Sequence, residues 1–496
     1  MLFCFLSSKF ACLWFYLYFC KMKDTVYNLF NFPNCMRYHR FLIFCTALFV
    51  CVSISASDLT AKDSLRASRK ERVSSHLKAH LKPYGFVRNY FTYDTRECVA
   101  GTGDLFSYLP KDNDWNQTVS EAAVSGIERE DLNARQSFRF LSLTTRGGLD
   151  IVGYRVGNTQ FGGRIEADFY YGLTGVTGVA QLRLRHAYMT LAWDSLKMGD
   201  KERFARVDLL IGQTWHPMAA DLIDVIALNG AAPFGPFSRT PQVRMDARLA
   251  DWFSLTAAAV WQMQYTSAGP NGASAEYIKY SRTPEAFVGL NFMAKQDFLL
   301  RLGLDVLHIQ PRTVATRRAA DGSDIKVKVN ERITTLTPFI YLQYRVGDFK
   351  LQAKSVFAEA GEHVNLNGGY GVSRINADGT WEYTPTRNLT SLICLSYGKD
   401  IKGILFAGYV RNFGTKEPLA DTNLLWFSKN SFPNLNRAFR LSPALLWTLG
   451  RFQLGAEYEL TSAQYGEGMS AKNGLAAENL HWVMNHRVQL MTKFNF

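Results

Sequence analysis

The chain has 496 residues, a formal charge of +13, 20% charged residues and a mean hydropathy of −0.11. That length could fill two or three soluble domains, or one barrel of many strands. A bundle of membrane helices is excluded, because it needs repeated apolar runs of about twenty residues and none occurs beyond Val52.

Residues 1–35 contain an apolar run, Leu2 to Phe19, and are read as an over-extended start, with translation beginning at Met36; an N-terminal membrane anchor is the rival reading. Residues 36–56 have the parts of a signal peptide. Arg37 and Arg40 form its basic end, Phe41 to Val52 an apolar core too short to span, and Ser53 to Ser57 a small-residue zone in which Ala56 is the last residue removed. Cys51 invites a lipoprotein reading, but Val50 is bulkier than that processing site prefers. Only Cys98 and Cys394 lie beyond residue 51; without a C-x-x-C pair they suggest neither a zinc ribbon nor a disulfide framework, and a single Cys98–Cys394 bridge is left open. Removing residues 1–56 takes away Lys9, Lys21, Lys23, Arg37, Arg40 and Asp24, so the formal charge falls from +13 to +9. In a pore that surplus favours anions; facing lipopolysaccharide or solvent it carries no selectivity.

Residues 57–83 are polar and basic and read as a periplasmic leader, either a short helix on Leu65, Val73, Leu77 and Leu81 or a segment without fixed structure. From Tyr84 the pattern changes, and residues 84–496 are expected to form one barrel. Sixteen extended segments are predicted. The first eight are Tyr84 to Thr95, Ser137 to Arg146, Gln160 to Gly172, Gly178 to Asp194, Arg206 to Pro217, Pro241 to Leu249, Trp252 to Ser267 and Thr283 to Ala294. The rest are Asp297 to Pro311, Arg332 to Gly347, Asp348 to Ala360, Trp381 to Gly398, Gly403 to Gly414, Ala438 to Gly450, Arg451 to Gly466 and His481 to Phe496.

Their spacing points to the architecture. Connections near residues 250, 295, 347, 400 and 450 are very short, and long polar ones lie between them, at 268–282, 312–331, 361–380, 415–437 and 467–480. Strict alternation of tight turns and long loops is what a transmembrane antiparallel up-and-down barrel requires and a sandwich does not. Inside the segments, charge and apolarity alternate. Arg164, Glu166 and Asp168 oppose Ile165, Ala167 and Phe169, while Gln242, Arg244, Asp246 and Arg248 oppose Val243, Met245, Ala247 and Leu249. Arg183 and Arg185 likewise share a face opposite Leu182 and Leu184. A charge on the lipid side at mid-bilayer costs about 2–4 kcal/mol, so these charges are expected to face the lumen.

The third long connection departs from the others. After Gly212-Gln213-Thr214-Trp215-His216-Pro217 it reads MAADLIDVIALNGAAPFGPFSRT, with Leu222, Ile223, Val225, Ile226 and Leu228 clustered and Phe234 and Phe237 following. Such a loop should not stand in water, so it is expected to fold inward and narrow the barrel. The last segment, HWVMNHRVQLMTKFNF, carries Trp482, Met484, Val488, Leu490, Phe494 and Phe496 on one parity. It looks like a C-terminal assembly signal, in which Phe494 and Phe496 would be read by the outer-membrane assembly machinery; a soluble edge strand is the alternative. The partners this implies are outer-membrane lipid and lipopolysaccharide.

The runs GQTWHPM and APFGPFSRTPQVR, with YGFVRNYFTYDTRE and LRLRHAYMTLAWD before them, resemble the DcaP-like outer-membrane porins and their Bacteroidetes relatives. The resemblance covers most of Tyr84 to Phe496 and is clearest in its first half. It implies a homotrimeric channel of a Gram-negative outer membrane, with Arg239 and Arg244 as constriction bases, Arg183 and Arg185 beside them, and small anionic solutes such as carboxylates as cargo. Arg248 and Asp246 share the polar face with Arg244; His216 and Pro217 open the loop and receive no role. The same arginines could instead hold the wall rigid by pairing with Glu166, Asp168, Asp246 or Glu457. No G-x-S-x-G elbow, H-E-x-x-H helix, P-loop or Rossmann fingerprint occurs, so neither an enzyme nor a cofactor is expected, although His186 and Ser142 could be imagined in a hydrolase. A scaffold or adhesin acting through loops 361–380 and 415–437 is the rival. Nucleic acid is not an expected partner, because the bases are spread by strand parity rather than clustered.

Overall fold

The computed structural model describes residues 80–496 apart from 102–105, 143, 171–180, 199–200, 228–230 and 428–430. The upstream start, the signal peptide and most of the leader lie outside the described residues.

Sixteen wall strands form a closed antiparallel barrel. They are β1 (Leu81–Asp94), β2 (Ser137–Leu141 continuing as Arg146–Val156), β3 (Thr159–Tyr170), β4 (Gln181–Met198), β5 (Lys201–Trp215), β6 (Arg239–Ala250), β7 (Phe253–Val260) and β8 (Glu285–Ala294). The others are β9 (Phe298–Ile309), β10 (Ile333–Val346), β11 (Phe349–Glu359), β12 (Trp381–Tyr397), β13 (Ile401–Thr415), β14 (Leu435–Leu449), β15 (Phe452–Met469) and β16 (Ala476–Asn495). Each pairs with its chain neighbours. The ring closes where β1 meets β16, in a register running from Phe86 opposite Asn495 to Asp94 opposite Arg487. Beyond the last paired strand residues, Phe496 N–H donates to the Gly85 carbonyl at 3.0 Å, and Gly85 N–H donates back at 3.3 Å.

Strand parity divides oil from lumen. On β16, Val488 and Leu490 are about half exposed on the outside, whereas Asn485, Arg487 and Gln489 are buried. Leu182 and Leu184 face outward and Arg185 inward. An exterior of this kind lies in hydrocarbon, where a closed sheet leaves no backbone group unpaired.

The second strand differs from expectation. Its first piece ends at Leu141, and a second piece of eleven residues, Arg146–Val156, follows before a tight turn into β3. Gly147, Gly148 and Gly153 blur the alternation there. With that turn counted, short and long connections alternate around the whole ring.

The long connections are not all external. The described residues of 216–238 fold into the barrel as expected: Met218, Ile226, Phe234 and Ser238 are buried, though Leu222 stays half exposed, and Leu228 lies outside the described residues. Residues 361–372, expected as an external polar loop, are buried as well; Glu362, His363, Val364, Asn365 and Tyr370 have almost no accessible surface. A hairpin in the first long connection, Cys98–Gly101 with Phe106–Pro110, also points inward. Arg440 on β14 donates to the Ser107 and Tyr108 carbonyls at 2.8 and 2.9 Å, and the Tyr465 hydroxyl donates to the Pro110 carbonyl at 2.7 Å. Burial of 361–372 removes the first part of one of the two loops that an adhesin reading needs. Cys98 and Cys394 are free thiols.

Candidate pore constriction

The inward loop after β5 crosses to the far wall and is fastened there by both charge and shape. Asp221 pairs with Arg301 on β9 at 3.0 Å, and Asp224 with Lys350 on β11 at 3.1 Å. The Lys354 ammonium donates to the Met218 and Asp221 carbonyls, both at 3.0 Å. On β15, Glu457 accepts from Ile226 N–H at 2.8 Å, while the Tyr90 hydroxyl donates to the Ile226 carbonyl at 2.9 Å. Two wall glycines receive loop side chains: a Cβ at Gly408 would lie 2.6 Å from the Phe234 ring, and one at Gly455 2.9 Å from Ile226. Glycine at such a strand position lets another segment approach the backbone closely. Phe237 stacks edge-on with Trp215 at 5.0 Å and Phe106 at 5.7 Å, joining the loop to the first hairpin.

Beside this loop, strands β1 to β6 and the neighbouring β16 carry a run of cations. Arg183 bonds Asp168 bidentately at 2.9 and 3.0 Å. Arg185 donates to Glu166 at 2.7 Å and Asp168 at 2.9 Å, and Arg146 lies 3.5 Å from Glu166. A register shift between Glu166 and Ala167 leaves Arg185 as the extra residue of β4, and both it and His186 are buried. A bulge re-aims side chains in this way. Arg239 opens β6 with its guanidinium 5.0 Å from the Trp215 ring centre, and Arg185 lies 5.8 Å from the same ring. Arg88, Arg146 and Lys493 all approach the Phe86 ring, at 4.8, 5.0 and 4.5 Å. Among the described residues, no carboxylate lies within ion-pair distance of Arg88, Arg239 or Lys493. Arg88 instead donates to Thr144 Oγ1 at 2.9 and 3.1 Å.

The expected arginines therefore separate by place. Arg183, Arg185 and Arg239 stand together at the inward loop. Arg244 pairs with Asp246 on its own strand at 2.9 Å, and Arg248 reaches Asp251 in the short turn at 3.1 Å, so both lie farther from the loop root. Wall pairing and charge surplus coexist, because Glu166 and Asp168 hold some of the bases and leave others. Arg88, Arg146 and Lys493 were legible by parity, since Tyr84, Phe86, Arg88 and Tyr90 share one face; nothing in the sequence placed them beside Arg185. A cavity of about 210 Å³ lies below the loop tip, lined by Arg88, Asp224, Ile226, Lys402, Leu446 and Lys493. Ser142 donates to Asn89 at 2.6 Å and His186 bonds Thr214 at 3.0 Å, so neither is aligned on the other.

Outside the wall, the first long connection has its own clasp. Lys111 bonds Glu97 at 2.7 Å and holds its carboxyl below the usual range; partial burial opposes this and Arg135 adds to it.

No model of a known protein family matches the chain, and no curated protein sequence does. Among solved structures, the outer membrane channel DcaP of Acinetobacter baumannii is similar with a TM-score of 0.57 and 19% identity, over 84% of this chain and 97% of that one. The anion-selective porin from Comamonas acidovorans gives 0.45 and 11%, over 84% and 99%. Outer-membrane OmpT of Vibrio cholerae gives 0.44 and 11%, over 84% and 97%. The likeness to DcaP falls on the family that the GQTWHPM and APFGPFSRTPQVR runs resemble, and it is a likeness of fold: this chain is a sixteen-stranded transmembrane antiparallel barrel with its third long loop turned inward.

Proposed function

We propose that the protein is a passive diffusion channel of a Gram-negative outer membrane, passing small hydrophilic solutes with a preference for anions, carboxylates among them. The observation that carries this reading is the surplus of bases at the inward loop: Arg88, Arg239 and Lys493 without carboxylates, beside Arg146, Arg183 and Arg185 sharing Glu166 and Asp168. A guanidinium offers a carboxylate two parallel donors, which offset the water the anion sheds in a narrow passage. Glu166 and Asp168 fix the orientation of those forks, so the positive charge is held in place before a solute arrives. The anion-selective label of the Comamonas protein belongs to that protein; here the preference rests on these residues alone.

Export by the 36–56 signal, insertion by the outer-membrane assembly machinery through Phe494 and Phe496, and contact with lipid and lipopolysaccharide belong to the same reading. So does a homotrimer, which the sequence resemblance implies. No catalytic step is inferred. The test is single-channel recording in planar bilayers across a salt gradient. Wild type should conduct with an anion-favouring reversal potential, and Arg185→Ala combined with Arg239→Ala should move it toward zero or past it. Protein that inserts without conducting, or a reversal potential unmoved in the double variant, would overturn the reading.

A further inference from the structure

Next to Arg239, at the outer ends of the strands, lies a cluster of opposite character. His216 follows β5, Glu285 opens β8, Asp305 lies near the outer end of β9, and His363 comes from the inward loop after β11. All four side chains are at most 1% exposed. His216 Nε2 lies 2.5 Å from Glu285 Oε1 and 3.8 Å from Asp305 Oδ1. His363 Nε2 lies 3.5 Å from Asp305 Oδ2 and 3.8 Å from Glu285 Oε1. Among the described residues, four potential ligand atoms in this group have no hydrogen-bond partner: Glu285 Oε2, both oxygens of Asp305, and His363 Nε2. An unpartnered buried carboxylate is costly, and two together with no guanidinium or ammonium in the group are more so.

The imidazole bonds decide where lone pairs point. His363 Nδ1 bonds the Ala360 carbonyl at 3.1 Å. A carbonyl only accepts, so Nδ1 carries the proton and Nε2 is left to receive a cation. His216 Nδ1 accepts from Met218 N–H at 3.2 Å, so its Nε2 carries the proton and donates to Glu285. A metal-ligating histidine and its carboxylate neighbours show this outer arrangement, the second ring nitrogen on a carbonyl and the carboxylate steadied by another donor. Distance separates the two cations that could fill the gap. A shared proton draws a nitrogen and a carboxylate oxygen to about 2.7–2.9 Å. Two donors on one ion, with bonds of about 2.0–2.2 Å, stand roughly 3.3–3.6 Å apart. The 3.5 Å from His363 Nε2 to Asp305 fits the second.

We propose that His363, Glu285 and Asp305 bind one divalent first-row transition ion, with His216 as the positioning residue that orients Glu285. One imidazole and two carboxylates suit zinc, manganese or iron, and the imidazole disfavours calcium and magnesium. The ion balances the two carboxylate charges. It fastens both inward loops to the wall, since Phe237 N–H also donates to the Val364 carbonyl at 2.9 Å close by. The site does not depend on conduction.

Full-length barrel, purified in detergent, is stripped with dipicolinate, dialysed, and offered Zn²⁺ or Co²⁺. Wild type should retain about one Zn²⁺ per chain by elemental analysis, show visible absorption bands with Co²⁺, and melt at a higher temperature with metal than without. Glu285→Gln combined with Asp305→Asn should retain at least tenfold less and lose the metal-dependent rise, while His216→Gln should bind more weakly but still bind. If the double variant does not fold, His363→Gln with the Co²⁺ spectrum decides in its place. Folded wild type that takes up neither ion, or a folded variant lacking those ligands that takes up as much, overturns the proposal and leaves a proton-shared cluster.

Discussion

The two charged clusters of this barrel are built from similar parts and are left in opposite states. Around Glu166 and Asp168 the bases are in surplus, and the cation run reaches down to a cavity. Around Glu285 and Asp305 the acids lack guanidinium or ammonium partners among the described residues, and the side chains are almost fully buried. Surplus charge beside open space can exchange partners with a passing ion, which is a transport property. Surplus charge without space must hold something in place, which is a binding property.

The comparison can be broken most forcefully at the carboxylates. Asp168→Ala removes the shared acceptor of Arg183 and Arg185 and should cost about 3–5 kcal/mol in a denaturant titration of the detergent-folded barrel, as loss of one partner of a buried pair does. In metal-stripped protein Asp305→Asn should be neutral or stabilising, because it relieves two facing acids. Equal losses at both sites would erase the distinction.

Next in size is the loop itself. Replacing residues 220–233 with a short glycine linker should raise single-channel conductance several-fold and weaken anion preference. An unchanged conductance would place the narrowest point elsewhere. Gly408→Leu is a gentler version, since the new side chain meets the Phe234 ring and should lift the loop from β13, increasing current noise before mean conductance. Arg248→Ala sharpens the comparison from the other side: its partner is in the short turn, so the reversal potential should not move. The smallest effect is expected at Glu97. Its carboxyl is held low, so the clasp with Lys111 is present above the ordinary glutamate range and is lost as pH falls through the lowered value. Amide exchange in residues 97–111 should quicken there, with little change in β8 or β9.

The wall is largely legible in the sequence, because a membrane-facing strand has only two environments and a period of two reports both. The third loop is legible because its apolar run could not remain in water. The loop after β11 is not. Glu362, His363, Asn365 and Asn367 read as solvent-facing, yet they are buried, with Phe432 N–H donating to Asn367 at 2.7 Å and Asn388 bonding the Asn367 carbonyl. Polar composition cannot separate water from a protein partner that supplies the same bonds. Arg185 shows a related limit: parity gives its face, but the bulge that sets it between Glu166 and Asp168 comes from pairing with β3.

Ile226 and Glu457 touch although 231 residues separate them, and the strand that holds Glu457 is the fifteenth of the ring. The cork is thus made well before most of the bottle. If later strands are laid down around material already lying across the bore, the barrel is wrapped about its obstruction rather than threaded by it afterwards. The halting step of assembly then becomes the meeting of two pieces distant in the chain, a kind of encounter that slows folding.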